Sequence, residues 1–116
     1  VFGCGGDRDQ EKRPVMGHIV SESADICYLT NDNPRHESPD AIAEMILDGI
    51  NHVNREKVRV ILNREDAIRS ALQSSQIDDI VLIAGKGHEN YQINGNEVVD
   101  FDDRKIARKY LSETFA

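Results

Sequence analysis

Four short apolar runs, residues 1–4, 26–30, 58–62 and 80–84, alternate with stretches whose apolar residues recur three and four positions apart. Strands alternating with helices in this way form right-handed βαβ units. The pattern therefore predicts an α/β, Rossmann-like domain with a mostly parallel sheet flanked by helices. The last run, Ile80-Val81-Leu82-Ile83-Ala84, shows no polar alternation and reads as a central strand covered on both faces. In a parallel sheet the loops that leave the strands share one edge, and ligands bind in the crevice outside it. Three loops of unusual composition converge there: Gly5 to Arg13, Asp32 to Arg35, and Gly85 to Glu89.

Local chemistry sets the helix ends. Pro14 suits the first turn of a helix carrying Met16, Ile19 and Val20 as its apolar stripe, with Gly17 allowing close packing on the sheet. Ser38 is an N-cap with Pro39 at the first helical position, ahead of Ile42, Met45, Ile46, Ile50 and Val53. Asn63 caps the next helix, whose inward residues are Ile68, Ala71 and Leu72, and Asp102 caps the last, with Ile106, Ala107, Tyr110 and Leu111 inward. Between them Tyr91-Gln92-Ile93, Asn94-Gly95-Asn96 and Val98-Val99 read as a β-hairpin with a primed turn at the sheet edge.

The Asp32-Asn33-Pro34-Arg35 loop carries the sharpest chemical signal. Pro34 has a fixed φ and pushes Asn33 to an extended conformation, which stiffens the loop and fixes the base of Arg35. Arginine is a planar five-donor fork suited to a carboxylate or phosphate. With Arg8, Lys86, Asp32 and Glu89 it lines a mixed-charge crevice. Such a crevice fits a zwitterion, whose carboxylates meet arginine and whose ammonium groups meet carboxylates. Gly3-Cys4-Gly5-Gly6 lacks the last glycine of the dinucleotide fingerprint, where Arg8 stands, and Gly85-Lys86-Gly87-His88-Glu89 is not a Walker loop. No catalytic constellation and no metal pair is visible, and His18, His36 and His52 read as surface residues.

A net charge of −7 argues against nucleic-acid or anionic-membrane binding, and no apolar run reaches membrane-spanning length. Cys4 and Cys27 sit in strand-like segments without zinc spacing and read as buried free thiols of a reducing, cytoplasmic compartment. The 116 residues suit a single domain. Because Val1-Phe2-Gly3-Cys4 has the look of a strand without its beginning, residues 1–116 are expected to be a fragment of a longer protein.

Gly5-Gly6-Asp7-Arg8-Asp9, Lys12-Arg13-Pro14 with Met16-Gly17, Asp32-Asn33-Pro34-Arg35, Ala84-Gly85-Lys86-Gly87-His88-Glu89 with Tyr91-Gln92, and Phe101-Asp102-Asp103-Arg104 follow one another in this order. Across essentially the whole chain they resemble the C-terminal domain of the Mur ligase family, in the branch that adds meso-diaminopimelate to the peptidoglycan stem peptide. The resemblance implies an ATP- and Mg²⁺-dependent amide-forming ligase acting on UDP-N-acetylmuramoyl-L-alanyl-D-glutamate. It implies that Arg8, Asp32, Asn33, Pro34, Arg35, Gly85 and Glu89 bind diaminopimelate and that Asp7 reaches the nucleotide. It also implies that phosphate loop, metal ligands and catalytic groups lie in other domains, so this chain alone is expected to be inactive. A free-standing nucleotide-binding module and a non-catalytic interaction domain are the alternative readings.

Overall fold

Where extended chain turns into helix, a side chain takes up a free backbone N–H. In the computed structural model, which describes residues 1–115, Ser38 Oγ accepts from Ala41 N and Asn63 Oδ1 from Asp66 N. These caps start α2 (Pro39–Leu47) and α3 (Arg64–Ser74) where the sequence predicts. Asp102 Oδ1 accepts from Arg104 N and Lys105 N at the start of α4 (Asp103–Phe115). The first helix, α1 (Lys12–Ser23), has no side-chain cap.

Strands β1 (Cys27–Leu29) and β2 (Val58–Val60) pair in parallel, with Cys27 opposite Val58. On the other side of β1, Phe2 forms a parallel bridge with Leu29. Beyond it, Ala84 N donates to Val1 O and the Val1 amino group to Leu82 O. The four segments thus lie in the spatial order 3-2-1-4, that of a doubly wound sheet. The crossing point falls between residues 1–2 and 82–84, which lead directly into the two glycine loops. Phe2, Cys27, Leu29, Ile42, Ala43 and Ile46 pack as one core under α1 and α2. Val1, Val81 and Ile83 face the other way, onto Ile68 and Leu72 of α3 and Tyr110 of α4.

Several expectations need correction. Residues 80–84 form no regular strand, and the run is covered on one face only: Ile80 is 95% and Leu82 73% exposed. With Ile26 and Tyr28 they border a groove of about 510 Å³ along the N-terminal edge of the sheet. The buried face of α1 is Arg13, Gly17 and Ser21, while Ile19 is exposed. Gly17 packs against α2, where a β-carbon would run into the Ile46 carbonyl, and not against the sheet. Val53 lies outside α2, exposed, at the start of a 3₁₀ turn (Asn54–Lys57).

The hairpin, β3 (Tyr91–Asn94) and β4 (Glu97–Asp100), forms a two-stranded sheet of its own. Gly95 has a φ of +60° at the first loop position, as a type II′ turn requires. The hairpin docks on the Asp32–Arg35 loop through a bridge between Asn94 and Arg35, so it roofs the crevice instead of extending the main sheet.

Candidate functional site

Arg35 is locked from both sides. Its N–H donates to Ile93 O at 3.1 Å and its carbonyl accepts from Gly95 N at 2.6 Å. Its φ is +52°, in the left-handed region that non-glycine residues avoid and that marks a functional constraint when the surroundings enforce it. Nη1 donates to Gly6 O at 2.9 Å and, more loosely, to Asn33 O at 3.4 Å. Among the described residues Nε and Nη2 bond to nothing, so one edge of the fork stays available to a ligand anion. Arg8, exposed, flanks the same spot: a β-carbon on Gly5 would lie 2.9 Å from Arg35 Nη1 and 3.5 Å from Arg8 Cγ. Two guanidinium side chains therefore share one wall.

Beside the second glycine loop the side chains are acidic. Asp32 lies against Gly85, where a β-carbon would stand 2.8 Å from Oδ2; Gly85 has a φ of +110°, so glycine serves both the turn and the approach. Burial pushes the Asp32 carboxyl up, and Arg64 and then Lys86 pull it back. A ligand ammonium would add to the second influence. Glu89 lies 3.4 Å from Lys86 Nζ and 3.4 Å from Tyr91 OH, so this carboxylate already has an intrachain cation beside it. Asn33 is buried, and its Oδ1 accepts from Lys86 Nζ at 2.9 Å and from Ile93 N at 3.0 Å. The carbonyl end of that amide is spent inside the chain. Pro34 is buried and contributes the shape of the loop, its carbonyl accepting from Glu37 N.

Residues that the sequence reading passed over hold these loops. Arg13 is completely buried and grips Glu37 with both terminal nitrogens at 2.9 Å, while Nη2 also donates to Gly5 O. Glu37 in turn accepts from Asp7 N at 2.6 Å, so one ion pair ties the first glycine loop to the residues after Arg35. Gln92 Nε2 donates to Asp32 O at 2.7 Å. Lys12-Arg13-Pro14 is visible in the sequence, but nothing in it says that the arginine is inside.

Asp7 has a φ of +54° and is exposed at the rim. Its Oδ2 lies 3.3 Å from His36 Nδ1, and His36 Nε2 lies 2.9 Å from Asn96 Oδ1. Both partners are acceptors, so both ring nitrogens are called on to donate, which favours the imidazolium. His36 is thus raised above its ordinary 6.5, by the Asn96 bond first and Asp7 second. A raised histidine contributes stability that is complete below the unfolded value and lost as pH rises through the folded one. An NMR titration should show His36 titrating above 6.5. Asn96→Ala and Asp7→Asn should each bring it down; a value unmoved by both would mean that neither contact holds the imidazolium.

Cys4 and Cys27 are free, and burial pushes both thiols up, as fits inert packing residues. Among the described residues no three His, Cys, Asp or Glu side chains stand together to hold a metal ion, and no helix is long and apolar enough to cross a membrane. The N-terminal groove of about 510 Å³ takes none of the site residues.

The fold is a doubly wound α/β domain, with Arg8 and Arg35 beside the first glycine loop and Asp32 and Glu89 beside Lys86 of the second, next to the topological crossing point. The chain belongs to the Mur ligase family: the family model described as "Mur ligase, glutamate ligase domain" matches residues 1–87. It is 55% identical over 113 residues to the UDP-N-acetylmuramoyl-L-alanyl-D-glutamate--2,6-diaminopimelate ligase of Nostoc sp., which covers 97% of this chain and 22% of that protein. To the ligase of the same name from Caldanaerobacter subterraneus subsp. tengcongensis it is 51% identical, over 98% of this chain and 23% of the relative. A solved structure of such a ligase superposes with a TM-score of 0.92 at 40% identity, covering 99% of this chain and 23% of that one. The chain thus spans less than a quarter of the relatives it matches.

Proposed function

We propose that residues 1–116 are the C-terminal, amino-acid-binding domain of a longer ATP-dependent ligase that joins meso-diaminopimelate to UDP-N-acetylmuramoyl-L-alanyl-D-glutamate in the cytoplasm. The observation that carries this reading is the Asp32–Arg35 loop, held between the first glycine loop, Lys86 and the hairpin so that Arg35 keeps a free guanidinium edge. A carboxylate of the amino acid is held by Arg35 and Arg8 and by the amide nitrogen of Asn33. Its ammonium group lies toward Asp32 and Glu89, beside Gly85. Pro34 keeps the backbone between these groups in place.

In the reaction, ATP converts the glutamate side-chain carboxylate of the nucleotide substrate to an acyl phosphate and ADP. The free amine of diaminopimelate attacks that carbonyl, phosphate leaves and the nitrogen loses a proton. This chain contributes binding and orientation, which bring the amine to the acyl carbon at high effective concentration. Asp7 reaches the nucleotide from the rim. The described residues offer no donor set for Mg²⁺, and no step through the metal is assigned to them.

The test is product formation by the full-length protein. With ATP, Mg²⁺, the UDP-linked dipeptide and meso-diaminopimelate, mass spectrometry should detect the tripeptide product, and phosphate release should require every component. A product formed from lysine and not from diaminopimelate would overturn the assignment.

A further inference from the structure

Lys86 is among the most deeply buried residues of the chain, 2% exposed with its side chain fully enclosed, although it sits in a glycine loop at the mouth of a crevice. A lysine that only decorated a turn would reach into water. Its ammonium instead donates to Asn33 Oδ1 at 2.9 Å and lies 3.4 Å from Glu89 Oε1, 3.9 Å from Asp32 Oδ1 and 5.5 Å from the centre of the Tyr91 ring. It touches groups from the Asp32–Arg35 loop, the second glycine loop and the hairpin.

The amide of Asn33 makes this contact informative. An asparagine side chain has an accepting end and a donating end, and its environment decides which faces a ligand. Here two donors, Lys86 Nζ and Ile93 N, converge on Oδ1. The opposite orientation would point the NH₂ group at an ammonium and an N–H, three sets of donors with no acceptor. Among the described residues Nδ2 makes no bond, yet the one sealed and unpartnered side-chain nitrogen there is Arg13 Nε. Asn33 Nδ2 is therefore not sealed and remains free to donate to a ligand.

We propose that Lys86 is a positioning residue that fixes the Asn33 amide with its NH₂ edge toward the crevice and holds Glu89 and Asp32 on the opposite rim. The crevice is thereby committed to an anion on the arginine side and a cation on the acidic side. This deepens the proposed function and rests on it. Because Lys86 itself supplies positive charge near two carboxylates, two opposite effects of removing it compete. Loss of orientation would weaken ligand binding, whereas loss of a rival cation would strengthen the pull of Glu89 and Asp32 on a ligand ammonium. The direct 2.9 Å bond to Asn33 against the looser 3.4 and 3.9 Å approaches says that orientation wins.

The experiment uses the full-length ligase with all three substrates varied in turn. Lys86→Met keeps chain length and removes the charge; it should raise KM for diaminopimelate at least tenfold and leave KM for ATP and for the UDP-linked dipeptide within about threefold. Asn33→Asp keeps acceptors for Lys86 and Ile93 but turns the crevice-facing donor into a carboxylate oxygen. It should raise the diaminopimelate KM by a similar factor at an unchanged or higher Tm, and it carries the test should Lys86→Met not fold. An equal rise in all three KM values for Lys86→Met, or an unchanged diaminopimelate KM in Asn33→Asp, overturns the positioning role. If the wild-type enzyme turns over lysine but not diaminopimelate, the proposed function falls, and this inference with it.

Discussion

Arg64→Leu is expected to destabilise this chain by roughly 3–5 kcal/mol, the cost of breaking a buried ion pair from one side. Arg64 Nε and Nη2 meet the two carboxylate oxygens of Asp103 at 2.8 Å each, with the side chains 0% and 7% exposed. Its remaining donors go to Asn31 O at 2.9 Å and Ala84 O at 3.0 Å. Leucine would leave the Asp103 carboxylate buried without the arginine and strip the Asn31 and Ala84 carbonyls of a donor. For a domain of this size the loss corresponds to a fall in Tm of roughly 12–25 °C. Replacing both partners, Arg64→Leu with Asp103→Leu, should recover most of it, because a matched apolar pair is often no worse than the ion pair. Denaturant melts of the unsubstituted chain and the two variants decide the matter; a single-mutant loss below about 1 kcal/mol would contradict it. The consequence reaches the site, since Asn31 immediately precedes Asp32 and Ala84 precedes Gly85.

What the sequence made legible were features with local causes. Ser38 and Asn63 are caps because a short polar side chain meets the N–H three residues on, and Asn94-Gly95-Asn96 turns because Gly95 accepts a positive φ. The convergence of Arg8, Asp32, Arg35, Gly85 and Glu89 followed from the shared edge of a parallel sheet. What stayed hidden depends on partners far along the chain. Arg13, Arg64 and Lys86 are charged residues that composition would put in water, and each is buried because its partner, Glu37, Asp103 or Asn33, arrives from 24, 39 or 53 residues away. The run 80–84 misled for a related reason. Its composition suits burial on both faces, but Val81 and Ile83 pack inward while no described element covers Ile80 and Leu82. The hairpin was readable as a hairpin, but its docking on Arg35 was not.

The second large effect concerns how an amino acid with a carboxylate at its far end is told from lysine. Arg35 stays in an unfavourable backbone conformation that costs of order 1–3 kcal/mol and that glycine would adopt freely. Its retention there makes sense if the side chain is needed, and among the described residues only one nitrogen, Nη1, is engaged. Lysine offers nothing to the free edge of the fork. If the other domains of the proposed ligase close the crevice, bound lysine would leave a desolvated, unpaired guanidinium, at a cost of about 1–3 kcal/mol or more. Sites built to grip a polar group reject analogues lacking it by up to about 10⁴-fold. Arg35→Ala should therefore lower kcat/KM for diaminopimelate by on the order of 10²-fold, with Arg8 and Asn33 preserving some discrimination.

The central claim is that the Asp32–Arg35 loop reads the second carboxylate. It is tested most directly by the ratio of kcat/KM for meso-diaminopimelate to that for lysine, measured in the full-length ligase with and without Arg35→Ala. The expected result is a ratio that falls by about 10²-fold because the diaminopimelate value drops while the lysine value holds or rises. If the two values fall together and the ratio stays where it was, Arg35 only shapes the loop through Gly6 and Asn33, and the claim is wrong.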